Sequence, residues 1–251
     1  MQVEGPAHTL RVALADVPWP LPARPRTRDE AQLASAVRSF RVVSVRRGEI
    51  VLRRGPLRIV FRQVEPHRAA VLFRRGMLDE APVPLGDIRA ALADEAVQGA
   101  VRVNRLAAVD TLDASRLPAS LRAALWATAD RRDYALLVPE DLDAAAKSPP
   151  ARAFRRARRA IPDLQHVPVR VRVEGDGTLR YGAMLLAASW RDLGLDVRVS
   201  DRNANAFFSR RSPPRGIAVA RAVDARFISP RVRGWREDAR GVVDYARVSL
   251  R

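Results

Sequence analysis

VPVRVRVEGDGTLRYGAMLLAASWRDLGLDVRVS, residues 167–200, is the stretch whose reading decides the fold. Val167, Val169, Val171 and Val173 alternate with Arg170 and Arg172, a period of two that puts β-branched side chains on one face of a pleated strand. Gly175-Asp176-Gly177 supplies the freedom for a turn. Thr178 is the expected N-cap of a helix, because Leu179, Ala183, Leu186, Trp190 and Leu193 follow at spacings of four and three, one stripe of a 3.6-residue period. Gly194 stands where a left-handed residue ends a helix. Leu195, Val197 and Val199 then resume the alternation. Two strands joined by one helix pair most simply in parallel, through a right-handed crossover. The unit predicts an α/β class and, by itself, no function.

A chain of 251 residues, 47% hydrophobic and 29% charged, has the composition of a globular protein and the length to bury a sizeable core. No apolar run approaches the ~18 residues that cross a bilayer, so no membrane span is expected. The absence of cysteine excludes disulfides, thiolate metal sites, cysteine nucleophiles and a lipidated N-terminal cysteine. His8, His67 and His166 have no metal-ligand spacing, and there is no Gly-rich phosphate loop or G-x-S-x-G elbow. No catalytic role, metal or cofactor is therefore expected. The opening MQVEGPAHTL lacks a basic patch followed by an apolar segment. It reads as the start of a cytoplasmic product or of a chain whose leader is not part of this sequence.

The net charge is +17, and every basic residue but Lys147 is an arginine. The arginines are dispersed, as in a uniformly biased composition, and such an excess attracts polyanions without specificity. The densest run is FRRARRAI, residues 154–161. Ala151, Phe154, Ala157 and Ile161 form one predicted helix face, with Arg152, Arg155, Arg156, Arg158 and Arg159 outside it. This suits a solvated surface helix or a nucleic-acid contact, and no aromatic platform for stacking bases accompanies it.

Elsewhere the pattern predicts strands over 9–14 and 57–64, a hairpin over 40–52 around Gly48, and helices over 29–37, 67–75, 86–97 capped by Asp87, 117–137 and 151–161. Four prolines between residues 18 and 25 forbid regular structure there. Val83 is read as strand, residues 100–106 as a strand ending at Asn104, and 139–150 as a polar connector. A helical turn over 203–208, a loop over 209–216 and strands over 216–223 and 242–250 complete the reading. Strands alternating with helices from 57 to 200 predict a mixed sheet with helices packed on it.

Six separated pieces, in this order, resemble the family 5 extracellular solute-binding proteins of peptide and nickel ABC importers. TLRVALADVPWPL (9–21) is similar to the start of the mature domain, and FRVVSVRRGEIVLRR (40–54) to the hairpin by which the chain enters the second lobe. LRIVFRQVEPHRAAVLFRRGMLDEAPVP (57–84) carries the strand, helix and G-x-x-D turn, here Gly76 and Asp79. VRVNRLAAVDTLDASRLPASLRAALWATADRR (101–132) is similar to the strand ending in Asn and the helix ending in Asp-Arg, here Asn104 and Asp130-Arg131. Residues 167–200 fit the second lobe's strand, helix and strand, and VDARFISPRVRGWREDARGVVDYARVSL (223–250) the closing segment. Much of the first lobe would intervene between Ser39 and Phe40, and a further stretch near 209–216 is absent.

The resemblance implies a shortened periplasmic-binding-protein-like (type II) chain: residues 1–39 as a first-lobe remnant and linker, 40–251 as the second lobe. It implies binding of a peptide or small solute, an ABC permease as partner, an extracytoplasmic location and no enzymatic activity, with reduced or lost ligand capture where a lobe wall is missing. Asp79 and Glu80 are candidates for a ligand's ammonium group, or else a solvated acidic turn. Asn104 is a candidate amide contact or a local turn-former, and Asp130-Arg131 line a cleft or end a helix. Trp126 and Trp190 fall on helical stripes and are expected in the core, whereas Trp19 and Trp235 lie in irregular segments and suit a ligand surface.

Overall fold

The computed structural model describes residues 8–84, 86–138, 142–144, 149–212 and 214–251. Two compact units divide the chain: one runs to Arg105 and resumes at Asp224, and the other is Leu106–Val223.

The first unit starts with β1 (Thr9–Leu14) and α1 (Arg28–Val37). A capping box opens α1: the Thr27 hydroxyl accepts from the Glu30 N–H at 3.2 Å, and the Glu30 carboxylate accepts from the Thr27 N–H at 3.0 Å. β2 (Arg41–Arg46) and β3 (Glu49–Arg54) follow as the expected hairpin, its tight turn made possible by Gly48 at φ +70°. Then come β4 (Leu57–Gln63), α2 (Pro66–Arg74), β5 (Glu80–Pro82) and α3 (Ile88–Ala93). The chain passes into the second unit within β6 (Val101–Asp113).

The second unit holds α4 (Ala119–Thr128), α5 (Arg131–Leu137), β7 (Leu142–Ala144), α6 (Ala151–Leu164), β8 (Val169–Glu174), α7 (Gly177–Asp192), β9 (Val197–Val199) and β10 (Ala206–Arg211). The chain returns within β11 (Ile217–Ile228) and closes with β12 (Val232–Arg233) and β13 (Ser249–Leu250).

Strand order in the first unit is β2-β3-β4-β1-β5-β11. β1 runs parallel to β4, Thr9 facing Arg58 through Leu14 facing Gln63, and β11 runs antiparallel to β5. The inward side chains, among them Leu10, Val12, Leu33, Ile50, Ile59 and Phe61, form this unit's own core, and Tyr245 meets Phe61 edge-on with ring centres 5.3 Å apart. In the second unit the order is β6-β10-β8-β9, with β7 against β11. β8 and β9 are parallel, Val169 facing Val197, as residues 167–200 predict, and Gly194 ends α7 at φ +98°. Leu179, Ala183, Leu186 and Trp190 are buried against Leu125, Ile161, Val171 and Phe208. The sheet is mixed and carries flanking helices, the expected class.

The division of the chain differs from one drawn after residue 39. β1 sits between β4 and β5, so its backbone hydrogen bonds and core-facing side chains tie the first strand to residues beyond 40.

Several local expectations give way to tertiary contacts. The cap of α7 is Asp176, whose carboxylate accepts from the Leu179 N–H, rather than Thr178. The helix expected over 117–137 is two helices: Asp130 caps α5, and the buried Arg131 guanidinium takes the Trp126 and Ala129 carbonyls that a continuous helix would use itself. Asp87 makes no capping bond, and α3 is only six residues long. β6 continues to Asp113, so Asn104 lies within a strand and not at its end. Residues 206–211 are strand β10, not a helical turn with a loop, because they fill the place between β8 and β6. The strand expected at 83 is β5, ending at Pro82, and only Ser249–Leu250 of 242–250 is strand. Within the connector read over 139–150, Leu142–Ala144 is strand β7, paired with β11; residues 139–141 and 145–148 and the start of the MQVEGPAHTL segment lie outside the described residues.

Candidate functional site

The acidic pair expected in a turn is enclosed. Asp79 is 4% exposed and Glu80 0%. The Asp79 carboxylate accepts from the Arg11 N–H at 2.8 Å and from two nitrogens of Arg231 at 2.6 and 2.7 Å, so it fastens β1 and the start of β5 to the segment after β11. Glu80 accepts from Arg226 at 2.7 Å, Gln32 at 3.1 Å and the Tyr245 hydroxyl at 3.0 Å. Arg226 is itself buried and lies 3.0 Å from Glu237, while Arg28 joins Glu237 at 2.8 Å and also contacts Asp224. Neither Asp79 nor Glu80 is presented to a solute.

Three carboxylates and two guanidinium groups share this cluster. Burial raises the Glu237 carboxyl to about 7, with Asp224 and Glu80 pushing the same way and Arg226 and Arg28 opposing. Burial also holds the Tyr245 hydroxyl well above its usual range, reinforced by Glu80. Burial alone would lower the Arg226 value, but Glu80, Tyr245, Asp224 and Glu237 outweigh it, and the guanidinium stays charged. Gln32, Arg226, Arg231, Glu237 and Tyr245 do not stand out in the sequence. The one local signal is Arg226 within the mostly apolar run of β11, where a charged side chain among buried neighbours demands a counter-ion.

Asn104 and Trp235 lie where the same C-terminal segment is open. The Asn104 amide donates to the Asp238 carbonyl at 2.9 Å, and Asp238 lines a pocket of about 640 Å³ on the first unit. Arg26, Arg28, Arg38, Arg236 and Arg240 surround that pocket. Arg240 pairs with Asp238 and Arg28 with Glu237, whereas Arg38 and Arg236 have no carboxylate partner among the described residues. The arrangement suits an anion such as a carboxylate, which guanidinium groups bind in a forked geometry. Trp235 lines a smaller hollow of about 270 Å³ with Gly99, Arg102, Ser229 and Pro230. Its indole Nε1 is buried without a hydrogen-bond partner among the described residues.

Trp19 is 44% exposed. Trp190 is in the core as expected, but Trp126 is 40% exposed, because Leu121, Ala124 and Leu125 fill the inner face of α4. On α6 the buried residues are Ala157, Ile161 and Leu164, while Ala151 and Phe154 are exposed at its outer end, so the apolar face is displaced toward the C-terminus. Arg152, Arg155, Arg156, Arg158 and Arg159 are all exposed and pair with no carboxylate among the described residues. Asp130-Arg131 ends and starts helices rather than lining a hollow jointly: Asp130 caps α5, and Arg131 is buried, donating at 2.9 Å to the Ala218 carbonyl. No group of three His, Asp or Glu among the described residues could hold a metal ion, and no described helix is long and apolar enough to cross a membrane.

No protein-family model matches the chain, and no curated protein matches it in sequence. Solved structures do match in fold. The periplasmic murein tripeptide-binding protein MppA, in its unliganded open form, aligns over 84% of this chain with a TM-score of 0.65 at 11% identity. A putative peptide-binding protein AppA from Clostridium difficile aligns over 85% with a TM-score of 0.65 at 6% identity. The clavulanic acid biosynthesis oligopeptide-binding protein 2 aligns over 84% with a TM-score of 0.63 at 13% identity. The alignments cover 63%, 67% and 62% of those chains, so this chain spans a little under two thirds of the first of them. The chain shares the fold of these peptide-binding proteins.

Proposed function

We propose, from the solute-binding-protein fold, that this chain is a non-enzymatic binding protein of the ABC-importer type, which takes up a short peptide or another small solute bearing a carboxylate. The fold match over 84% of the chain to a tripeptide-binding protein carries the reading. The pocket of about 640 Å³ supports it, being of a size that holds small ligands and lined by arginines with spare donors. Arg38 and Arg236 take the ligand's carboxylate, and Asn104 holds in place the Asp238 wall of that pocket. Trp235 lines a separate hollow and Trp19 lies on an exposed segment, so neither belongs to this site. Residues 106–223 correspond to one lobe of the fold and the remaining residues to a reduced form of the other. An ABC permease and an extracytoplasmic location belong to the same reading.

The test is a thermal-shift screen with di- to pentapeptides, since a ligand held only by the folded chain raises the melting temperature by linkage. A saturable rise supports capture. No rise with any peptide or small carboxylate would sink it.

The exposed, unpaired arginines of α6 favour a second reading, contact with nucleic acid. DNA binding that persists at about 0.2 M salt and is lost on replacing Arg155 and Arg159 supports it, and binding that vanishes there is the general charge alone.

A further inference from the structure

The outer face of α7 is apolar although its inner face already serves the core. Leu179, Gly182, Ala183, Leu186, Ala187 and Trp190 are buried. On the opposite side Tyr181 and Met184 are about half exposed, at 46% and 54%, and Leu185 and Ala188 are partly exposed. A surface helix turns its polar side outward, and one that is apolar on both sides is normally covered on both.

Two hollows flank this ridge, and both include Leu185 and Ala188. The one on the β9 flank, about 510 Å³, is bordered by Arg180, Arg191 and Arg198. The one on the α5 and α6 flank, about 430 Å³, contains Leu137 and Phe154 and is bordered by Asp130, Asp133 and Asp192. Arg180 pairs with Asp201 and Arg198 with Asp196, and Asp130 is engaged as a cap. Arg191, Asp133 and Asp192 have no ion-pair partner among the described residues.

An apolar ridge with opposite charges on its two flanks is complementary to itself. We propose that this face of the second unit is the interface of a two-fold dimer of the chain, with the axis running along α7. That operation brings the arginine flank of each copy against the aspartate flank of the other, whereas an axis across the helix would set like charges together. Ala188, the small residue on the ridge, lets the two helices approach. The net charge of +17 repels a second copy at long range, and at physiological salt that repulsion is screened beyond about 8 Å, leaving the local pairing intact.

Analytical ultracentrifugation of the full chain from about 1 to 100 µM, in about 0.15 M salt, tests this. A concentration-dependent dimer is expected, with Met184→Glu raising its dissociation constant at least tenfold, on the order of a lost interface anchor. Arg191→Asp and Asp192→Arg each place like charges across the interface and dissociate it. An equimolar mixture of those two variants restores opposite charges at both crossings and re-forms a dimer of mixed composition. A wild-type chain that stays monomeric throughout overturns the proposal and leaves the face to a different protein. A dimer indifferent to Met184→Glu, or a mixture that stays monomeric, overturns it as well.

Discussion

Arg226 and Glu80 form an enclosed ion pair: Nη1 lies 2.7 Å from Oε1, and the side chains are 2% and 0% exposed. Arg226 sits on β11 and Glu80 on β5, so the pair joins strands that lie 146 positions apart in the sequence. Gln32 from α1 and Tyr245 from the closing segment complete the shell around Glu80. The carboxylate expected to greet a ligand is instead an internal fastening of the first unit.

Removing one partner of such a pair leaves an uncompensated charge. Glu80→Ala is expected to cost about 3 kcal/mol, at the lower end for a broken buried pair because Glu237 still faces Arg226. Urea unfolding reads this directly, and a loss below about 1 kcal/mol would show that Glu237 compensates fully.

Glu237 makes stability depend on pH. Its folded-state value of about 7 lies above that of the unfolded chain, so between roughly pH 5 and 7 the native state holds a proton that the unfolded state has released. Stability contributed by this group is therefore present at pH 5 and falls as the pH rises through 7, by on the order of 2–3 kcal/mol. Glu237→Gln, which copies the protonated form, should gain on the wild type as the pH is raised from 5 to 8. A wild-type-to-variant difference that stays constant over that range contradicts the assignment.

Glycine at 182 is required by a neighbour rather than by the helix. A Cβ there would stand 2.6 Å from both Cε2 and the hydroxyl of Tyr134, whose hydroxyl donates to Asp110 at 2.9 Å. Helix propensity favours alanine over glycine by about 1 kcal/mol, but overpacking costs about 1–3 kcal/mol and wins. Gly182→Ala should lower the melting temperature, while Gly177→Ala, in open space at the start of the same helix, should not.

Asn104 fixes the Asp238 wall of the proposed pocket, so its truncation affects binding as well as folding. Asn104→Ala is expected to lower the ligand-free melting temperature by about 2–4 °C, the worth of its bond to the Asp238 carbonyl, and to weaken peptide binding about tenfold by loosening that wall of the pocket. Calorimetric titration separates the two effects, and unchanged affinity removes Asn104 from the site.

Residues 167–200 show why part of this fold was legible. Their strand, helix and strand are adjacent in sequence, and the valine alternation and the Leu179–Trp190 stripe are set by local periodicity. The ends differ, with Asp176 rather than Thr178 as the cap, strands beginning at Val169 and Val197, and the helix ending at Asp192 before Leu193. Asp130-Arg131 and Asn104 show the opposite. A break between α4 and α5 depends on a buried guanidinium reaching Ala218, and Asn104 stays within a strand because β6 continues to Asp113.

The sequence by itself determined the α/β class, the order of most elements and the exclusion of cysteine chemistry, because each rests on composition or on neighbours a few residues apart. Only the tertiary structure decided that Asp79 and Glu80 are internal and that arginines 38 and 236 face an open pocket. Whether a charge meets water or a counter-ion depends on side chains brought together from distant segments, Arg11 and Arg231 around Asp79, Gln32 and Arg226 around Glu80. Desolvation and pairing act through space, and no local period records them.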